Sequence, residues 1–150
     1  MIEPIPSPGL ISDLERDEGL DLAAYPDPLT HAEPYTIGYG HTGSDVHLGL
    51  IWTQEQAQTH LLADATIAIK SLIEACPWTT NLDQVRFDAL ANACFNMGIN
   101  RLLGFHNTLN LLGTGNYLGA SKAILASAWA GQVGARATRI SLMLATGARS

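Results

Sequence analysis

The sequence predicts an α+β fold in which a small N-terminal β-hairpin lobe is joined by one long helix to a mainly α-helical lobe. Residues 25–50 combine prolines, glycines and alternating aromatic residues, which is typical of strands and turns. Residues 53–75, and then the chain from Leu82 onward, carry apolar residues at helical spacing. With 150 residues, 47% of them hydrophobic, the chain has the length of one domain with its own core.

The first helix and the β lobe are expected within about residues 8–52. Ser7 followed by Pro8 has the pattern of a helix N-cap and first helical residue, and the helix should end near Gly19. Thr53-Gln54-Glu55-Gln56 has the pattern of a capping box. It opens the connecting helix, which we expect over about residues 53–75.

The helical lobe is expected over about residues 82–147. Helical spacing punctuated by glycines predicts four helices, at about 83–97, 106–112, 117–129 and 135–145. A cleft between two lobes of this kind is where we expect a ligand to bind.

Composition excludes several classes of protein. Fourteen acidic residues against eight Lys plus Arg leave a net charge of −6, which argues against a nucleic-acid binder. Cys76 and Cys94 lie in apolar surroundings, so we expect free, buried thiols in a reducing compartment. The first residues lack the basic and apolar regions of a signal peptide, and no run resembles a membrane span, so we expect neither a leader nor an anchor.

Two carboxylates are candidates for catalysis. Glu18 follows Leu14 by four residues, on the stripe that the first helix buries, although a glutamate at a helix end can also turn to solvent. Burial favours the protonated form of a carboxyl group, as a general acid requires. Asp27 stands between two prolines and is either a turn residue or the second carboxylate of a pair that hydrolyses a glycosidic bond.

The segment 35–41 is the third candidate. With a period of two, its aromatic and aliphatic residues face one side, and the opposite face carries only Thr36, Gly38 and Gly40. Glycines in a strand mark places where a ligand or another backbone approaches closely, so we expect a ligand on this face. A bulged hairpin without a ligand is the alternative.

These motifs resemble the Glu…Asp…Thr signature of phage-type lysozymes, glycoside hydrolase family 24. The resemblance rests on Asp17-Glu18-Gly19-Leu20, Tyr25-Pro26-Asp27 and residues 35–43, and it continues through 82–86, 95–98, 129–132 and 136–139. It therefore covers nearly the whole chain. It implies a lysozyme-like fold and a muramidase that acts on the glycan strand of peptidoglycan.

Carried over position by position, the resemblance implies that Glu18 is the general acid. Asp27 would act on the opposite face of the sugar as general base or electrostatic partner, and Thr36 would hold the attacking water. The family usually inverts, which needs carboxyl groups roughly 6.5–9.5 Å apart. One departure is the gap of nine residues from Asp27 to Thr36, longer than usual, which brings Glu33 close as a weaker rival for the second carboxylate.

Two polar residues of the predicted helical lobe, Arg136 and Asn92, should support this site. Arg136 lies in the first turn of the last predicted helix, where the helix dipole disfavours a cation. The resemblance places its anionic partner at Asp17 and Glu18; an exposed basic edge shared with Arg139 is the alternative. Asn92, inside an apolar run, is expected to hydrogen-bond across the base of the cleft.

Further residues should link the lobes or contact the sugar. Asp64 lies on the inward stripe of the connecting helix and needs a partner, and the resemblance implies an ion pair with His41. Asn96, Gln132 and Trp129 are candidates for sugar contact, although Trp129 fits a core position equally well.

No metal and no cofactor is predicted, because the spacing of His41, Asp45 and His47 fits no common zinc pattern. The leading hypothesis is a monomeric phage endolysin made in the host cytoplasm. It would reach the peptidoglycan of a Gram-negative host through a separately encoded holin. The alternatives are a non-catalytic peptidoglycan-binding or virion structural module and, with similar chemistry, a lytic transglycosylase.

Overall fold

The computed structural model describes residues 4–149 and confirms the α+β fold. A short helix precedes a small sheet, a long helix leaves the sheet, and further helices complete the chain. The first half contains α1 (Pro8–Glu18), β1 (Asp21–Tyr25), β2 (Thr36–Gly38), β3 (His41–Thr42) and α2 (Gln54–Ala75), followed by a 3₁₀ turn at Pro77–Asn81. The second half contains α3 (Gln84–Met97), α4 (Ile99–Leu103), α5 (His106–Gly113), α6 (Tyr117–Leu125), α7 (Ala128–Val133) and α8 (Ala135–Thr146).

Side chains at two helix starts explain why those helices begin where they do. The Ser7 hydroxyl accepts the Leu10 amide, and Pro8 occupies the first turn, where no backbone donor is needed. Thr53 and Gln56 form both bonds of the predicted capping box, at 3.2 and 2.8 Å. Each cap satisfies amides that the helix itself leaves unpaired.

The sheet is antiparallel, with strand order β1-β2-β3. Tyr25 pairs with Thr36 and Asp21 with Gly38, and an irregularity lies between these two pairs. The first strand begins before residue 25, earlier than predicted. The prediction missed its start because the strand is exposed over most of its length and carries no alternating pattern. Residues 26–35 form the loop that connects it to β2.

The helix predicted over 117–129 is wrong as one element, because the structure divides it into α6 and α7. Ser127 ends the first by donating its hydroxyl to the Ile124 carbonyl, and it caps the second by accepting the Ala130 amide. Short α4 and the 3₁₀ turn were also not predicted.

The long helix α2 runs along the core and packs against both the sheet and α3. Its buried residues, Leu61, Ala65, Ile69 and Leu72, follow the helical spacing read from the sequence. Both thiols are free and buried, as expected. Within residues 4–149, no helix combines the length and hydropathy that crossing a bilayer requires.

An ionic cluster fastens the end of the described chain to α1 and α3. Arg149 donates hydrogen bonds to Asp13 and Asp88, whose residues are 3% and 0% exposed. Ser7 and Gln84 also donate to Asp88, at 2.6 and 2.8 Å. The Arg149 guanidinium lies where a Cβ on residue 9 would meet it, at 2.5 Å, so a larger residue there would displace the guanidinium.

Candidate active site

Glu18 lies at the last position of α1, with its side chain 16% exposed. Its Oε2 accepts a hydrogen bond from Arg136 Nη1 at 2.5 Å. Its Oε1 lies against the backbone of Gly40, where a Cβ would come within 2.2 Å of the oxygen. Gly40 also has φ +76°, a conformation that other residues rarely adopt. One carboxylate oxygen is therefore held by a cation, and the other is packed against the turn between β2 and β3.

A polar network lies behind Glu18 and holds Arg136. Asn92 donates to Asp17 at 2.9 Å and accepts from Arg136 Nε at 2.9 Å, so this polar residue of an apolar run is hydrogen-bonded on both sides. Arg139 donates a further hydrogen bond to Asp17. The Asp17 side chain, only 1% exposed, therefore contacts three guanidinium groups, because Arg16 Nε lies 3.2 Å away and Arg136 Nε lies 3.7 Å away.

The network keeps Asp17 ionised. Burial by itself raises the pKa of Asp17, but hydrogen bonds from Asn92, Arg139 and Arg16, together with the charge of Arg136, outweigh burial and hold the pKa below its ordinary value. A buried carboxylate is the partner that a cation in the first turn of α8 requires, because the helix dipole opposes a positive charge there. The contact expected between Arg136 and the Asp17–Glu18 region is present.

A cavity of about 210 Å³ opens beside Glu18. Tyr25 lines it from β1, and Tyr25 is paired with Thr36 across the two neighbouring strands. Burial raises the pKa of Tyr25, and the charge of Asp21 raises it further. Thr36 is therefore joined to the Glu18 cavity through the tyrosine. The residues that line the cavity are Glu18, Gly19, Leu20, Asp21, Tyr25 and Gly38.

Asp27 lies in the loop that follows β1, two residues beyond Tyr25, and is half-buried. Its Oδ1 accepts the amides of Leu29 and Thr30, at 2.8 and 3.1 Å. The carboxylate thus organises the loop next to the cavity, which is the turn role weighed from the sequence. Glu33 lies in the same loop with its residue exposed, and its carbonyl accepts the Thr30 hydroxyl at 3.3 Å.

A groove of about 330 Å³ runs between the sheet, α2 and the helices that follow. Gly40 lines it and contacts Glu18 on its other side, so the groove begins next to the carboxylate. Asp64 lines it from α2 and also binds His41 Nδ1 at 2.7 Å, the contact that the resemblance implied. The remaining lining residues are Thr42, Ile67, Ala68, Ser71, Cys94, Phe95, Gly98 and Ile99.

The structure corrects one proposed sugar contact and modifies others. Trp129 is 1% exposed, packs edge-on against Phe105 and donates its ring N–H to Asn96 at 2.7 Å, so it is a core residue. That bond occupies the Asn96 side-chain oxygen. Gln132 is exposed and accepts from Arg101 at 2.9 Å. Gly38 lines the Glu18 cavity but is buried, and a Cβ at this position would contact the Trp52 ring.

Sequence reasoning missed two contributors to the site. The Tyr25 hydroxyl had no assigned role, although its place two residues before Asp27 in a paired strand was a usable signal. Arg139 was weighed only as an exposed edge residue. Its spacing of three from Arg136 puts both guanidinium groups on one helix face, which could have shown the shared partner.

The small sheet, the long connecting helix and the helical lobe together are the lysozyme-like α+β fold. The family model described as "Phage lysozyme" matches residues 15–140, a range that includes every candidate site residue named above. The chain belongs to the phage lysozyme family.

Individual relatives include phage proteins of different sizes. The chain is 36% identical to an endolysin of Bacillus phage PZA over 74% of its length, and 35% identical to an endolysin of Salmonella phage P22 over 77%. It is 31% identical to the pre-baseplate central spike protein Gp5 of Enterobacteria phage T4 over 95% of its length. These matches span 39%, 77% and 28% of the respective relatives, so the chain corresponds to about two fifths of the Bacillus phage protein.

Proposed function

We propose that the protein is a peptidoglycan hydrolase, an N-acetylmuramidase that cleaves the β-1,4 bond between N-acetylmuramic acid and N-acetylglucosamine. One observation carries the proposal: Glu18 is fixed between the Arg136 guanidinium and the Gly40 backbone, at the start of an open groove. Membership of the phage lysozyme family supports the same reaction class. The groove is the place for the glycan strand.

In the proposed reaction, protonated Glu18 gives its proton to the bridging glycosidic oxygen while the bond from that oxygen to the anomeric carbon breaks. Glu18 is then a carboxylate, and Arg136 faces the negative charge that forms on it. Asp17 and Asn92 hold Arg136 from behind, so the cation need not reorganise during the step. Contacts along the groove supply binding energy that distorts the sugar toward an oxocarbenium ion.

Water completes the reaction from the opposite face of the ring. We assign Asp27 as the general base or electrostatic partner and Thr36 as the residue that positions the water, which gives inversion at the anomeric carbon. The strand pairing of Thr36 with Tyr25 supports this assignment, because Tyr25 lines the Glu18 cavity and the threonine lies beside it. Glu33 is the competing carboxylate on the same loop.

The biological role that we propose is lysis of the host cell at the end of phage growth. Endolysins among the relatives support it. We further propose that the protein acts as a monomer, is made in the host cytoplasm, and reaches periplasmic peptidoglycan when a separately encoded holin opens the inner membrane.

A role inside the virion is the second candidate, and the likeness to the T4 spike protein over nearly the whole chain favours it. A non-catalytic module needs no general acid, whereas a hydrolase does. A lytic transglycosylase would use Glu18 but leave a 1,6-anhydro product instead of a reducing end. The two chemistries therefore differ in the muropeptides that they release.

The test is loss of turbidity of Gram-negative cells stripped of their outer membrane, with mass spectrometry of the released muropeptides. The wild type should lyse the cells and release reducing-end muramic acid. Glu18→Gln should lower the lysis rate by about 10²–10⁴-fold, the contribution of general acid catalysis. Glu74→Gln, an exposed glutamate on α2, is the matched control and should retain activity.

Two further variants assign the second carboxylate. Asp27→Asn should abolish most lysis, while Glu33→Gln should leave it nearly unchanged. The reverse result would transfer the role to Glu33. Wild-type lysis by Glu18→Gln would refute the proposed mechanism, and anhydro products would identify a transglycosylase.

A further inference from the structure

A second cluster of polar side chains lies where the sheet meets the start of α2. The potential ligand atoms of His41, Asp45 and His60 all lie within 4.8 Å of one another. These residues lie in β3, in the loop that follows it and in α2. Their spacing in the sequence did not suggest a common cluster, because only the folded structure brings them together. His47 is not a member, because its ring bonds the neighbouring Leu48 carbonyl at 3.2 Å.

His41 is held as metal-binding histidines commonly are. Its Nδ1 is 2.7 Å from Asp64 and its Nε2 is 3.1 Å from Asp45. A carboxylate on the far nitrogen fixes the ring orientation and makes the near nitrogen a better ligand. Both nitrogens lie within hydrogen-bond distance of a carboxylate, an arrangement that favours a proton on each when no ion is bound.

His60 is fixed by stacking. Its ring lies 4.1 Å from that of Trp52, with 17° between the planes, and 4.8 Å from the ring of His41. Trp52 is 7% exposed and gives the histidine ring a rigid surface to pack against. His60 also lines a surface cavity of about 370 Å³ together with Glu55, so an ion can reach the cluster from solvent.

We propose that His41, Asp45 and His60 bind a divalent transition-metal ion, with Zn²⁺ as the best match. Two imidazole nitrogens and one carboxylate oxygen form a donor set that Zn²⁺ uses, with a fourth position open to water. Binding replaces the proton on His41 Nε2, which leaves to solvent, and Asp45 becomes a ligand instead of a hydrogen-bond acceptor. Asp64 keeps its bond to Nδ1 as the outer partner.

The cluster needs only a small contraction to bind the ion. Zinc ligands at ~2.0–2.1 Å in a tetrahedron lie about 3.4 Å from one another. His41 Nε2 and Asp45 Oδ2 are already 3.1 Å apart, so the contraction that remains is in the distances to His60, which do not exceed 4.8 Å. The bound ion would then connect β3 and its loop to α2, and it would stabilise the folded state by binding it selectively.

The site is separate from Glu18 and does not depend on the proposed hydrolase reaction. Its test is calorimetric titration of the chelator-treated protein with Zn²⁺, together with thermal unfolding in the presence and absence of Zn²⁺. The wild type should bind one ion and unfold at a higher temperature when it is present. Co²⁺ should give the visible absorption bands of a tetrahedral site.

Four variants make the result decisive. His60→Phe retains an aromatic ring on Trp52 but has no ligand atom, and it should lose the binding and the thermal shift, as should Asp45→Asn. Asp64→Asn should weaken binding about 10–100-fold, the usual effect of losing an outer partner. His47→Ala, an exposed histidine outside the cluster, should bind as the wild type does. Absence of binding to the wild type, or unchanged binding by His60→Phe, would overturn the proposal.

Discussion

Removing the Arg149 guanidinium should destabilise the protein far more than its place near the end of the chain would suggest. Arg149→Ala leaves Asp13 and Asp88 buried without their common cation, although Ser7 and Gln84 still bond Asp88. Loss of one partner of a buried ion pair costs ~3–5 kcal/mol, and the arginine side chain is 30% exposed. We therefore expect the free energy of unfolding to fall by about 3 kcal/mol at pH 7.

The pH dependence of this loss has a definite sign. Burial raises the pKa of Asp13 above its ordinary value of 3.8, and the charge of Arg149 opposes that rise. A carboxyl group with a raised pKa in the folded state destabilises that state once it ionises, so stability falls as the pH rises from the unfolded pKa through the folded one. Without Arg149 the pKa of Asp13 rises further. The deficit of the variant should therefore shrink as the pH is lowered toward 4.

A double-mutant cycle with Gly9 tests the geometry directly. In the wild type, a Cβ at residue 9 would lie 2.5 Å from Arg149 Cζ, so Gly9→Ala should displace the guanidinium and lower stability. In the Arg149→Ala background the clash is gone, and alanine should gain up to ~1 kcal/mol over glycine through helix propensity.

Urea unfolding of the four proteins, followed by circular dichroism, gives the coupling energy. We expect the double variant to be more stable than the sum of the single effects by at least about 1 kcal/mol. Additivity within ~0.5 kcal/mol would refute the described contact. If Arg149→Ala lowers the free energy of unfolding by less than about 1 kcal/mol, the strength assigned to the ionic cluster is refuted.

Two other substitutions probe the candidate site. Gly40→Ala would put a Cβ within 2.2 Å of Glu18 Oε1 and displace the carboxyl group. We expect the lysis rate to fall by about 10²-fold while the circular dichroism spectrum stays unchanged. Full activity of this variant would show that the close packing of Glu18 against residue 40 is not required. Asp17→Asn should lose about 3 kcal/mol of unfolding free energy at pH 7, because the guanidinium groups of Arg16, Arg136 and Arg139 lose their buried anion. Since the pKa of folded Asp17 lies below 3.8, its contribution is present above that pH and disappears as the pH falls through the folded value, so unfolding curves of the two proteins should converge in acid. An Asp17→Asn deficit that does not change with pH would contradict an ionised Asp17.

Much of the fold could be read from the sequence because its signals are local. The caps at Ser7 and Thr53 and the glycine after Glu18 act within one helical turn, and the helices they bound were predicted closely. The break at Ser127 was missed because apolar spacing continues across it, and only the capping hydroxyl marks the change. Strand β1 was placed late because its pairing, not its own residue pattern, defines it.

The candidate site was less accessible to sequence reasoning, for the same physical reason. Glu18 and Arg136 each carry a local anomaly, a carboxylate on an apolar stripe and a cation at a helix start, and the structure pairs them. Trp129 carries no such signal, because a tryptophan suits both a sugar surface and a core. His60 lies on a polar stretch of α2, and only the packing of the sheet against that helix brings it to His41.

The pairing of Glu18 with Arg136 joins residues 118 positions apart, and this separation has a consequence during synthesis. Until the ribosome reaches α8, the nascent protein has its glutamate but lacks the guanidinium that faces it. The ion pair forms only when α8 docks on α1. The carboxylate is therefore without this cation throughout the synthesis of the segment that separates the two residues.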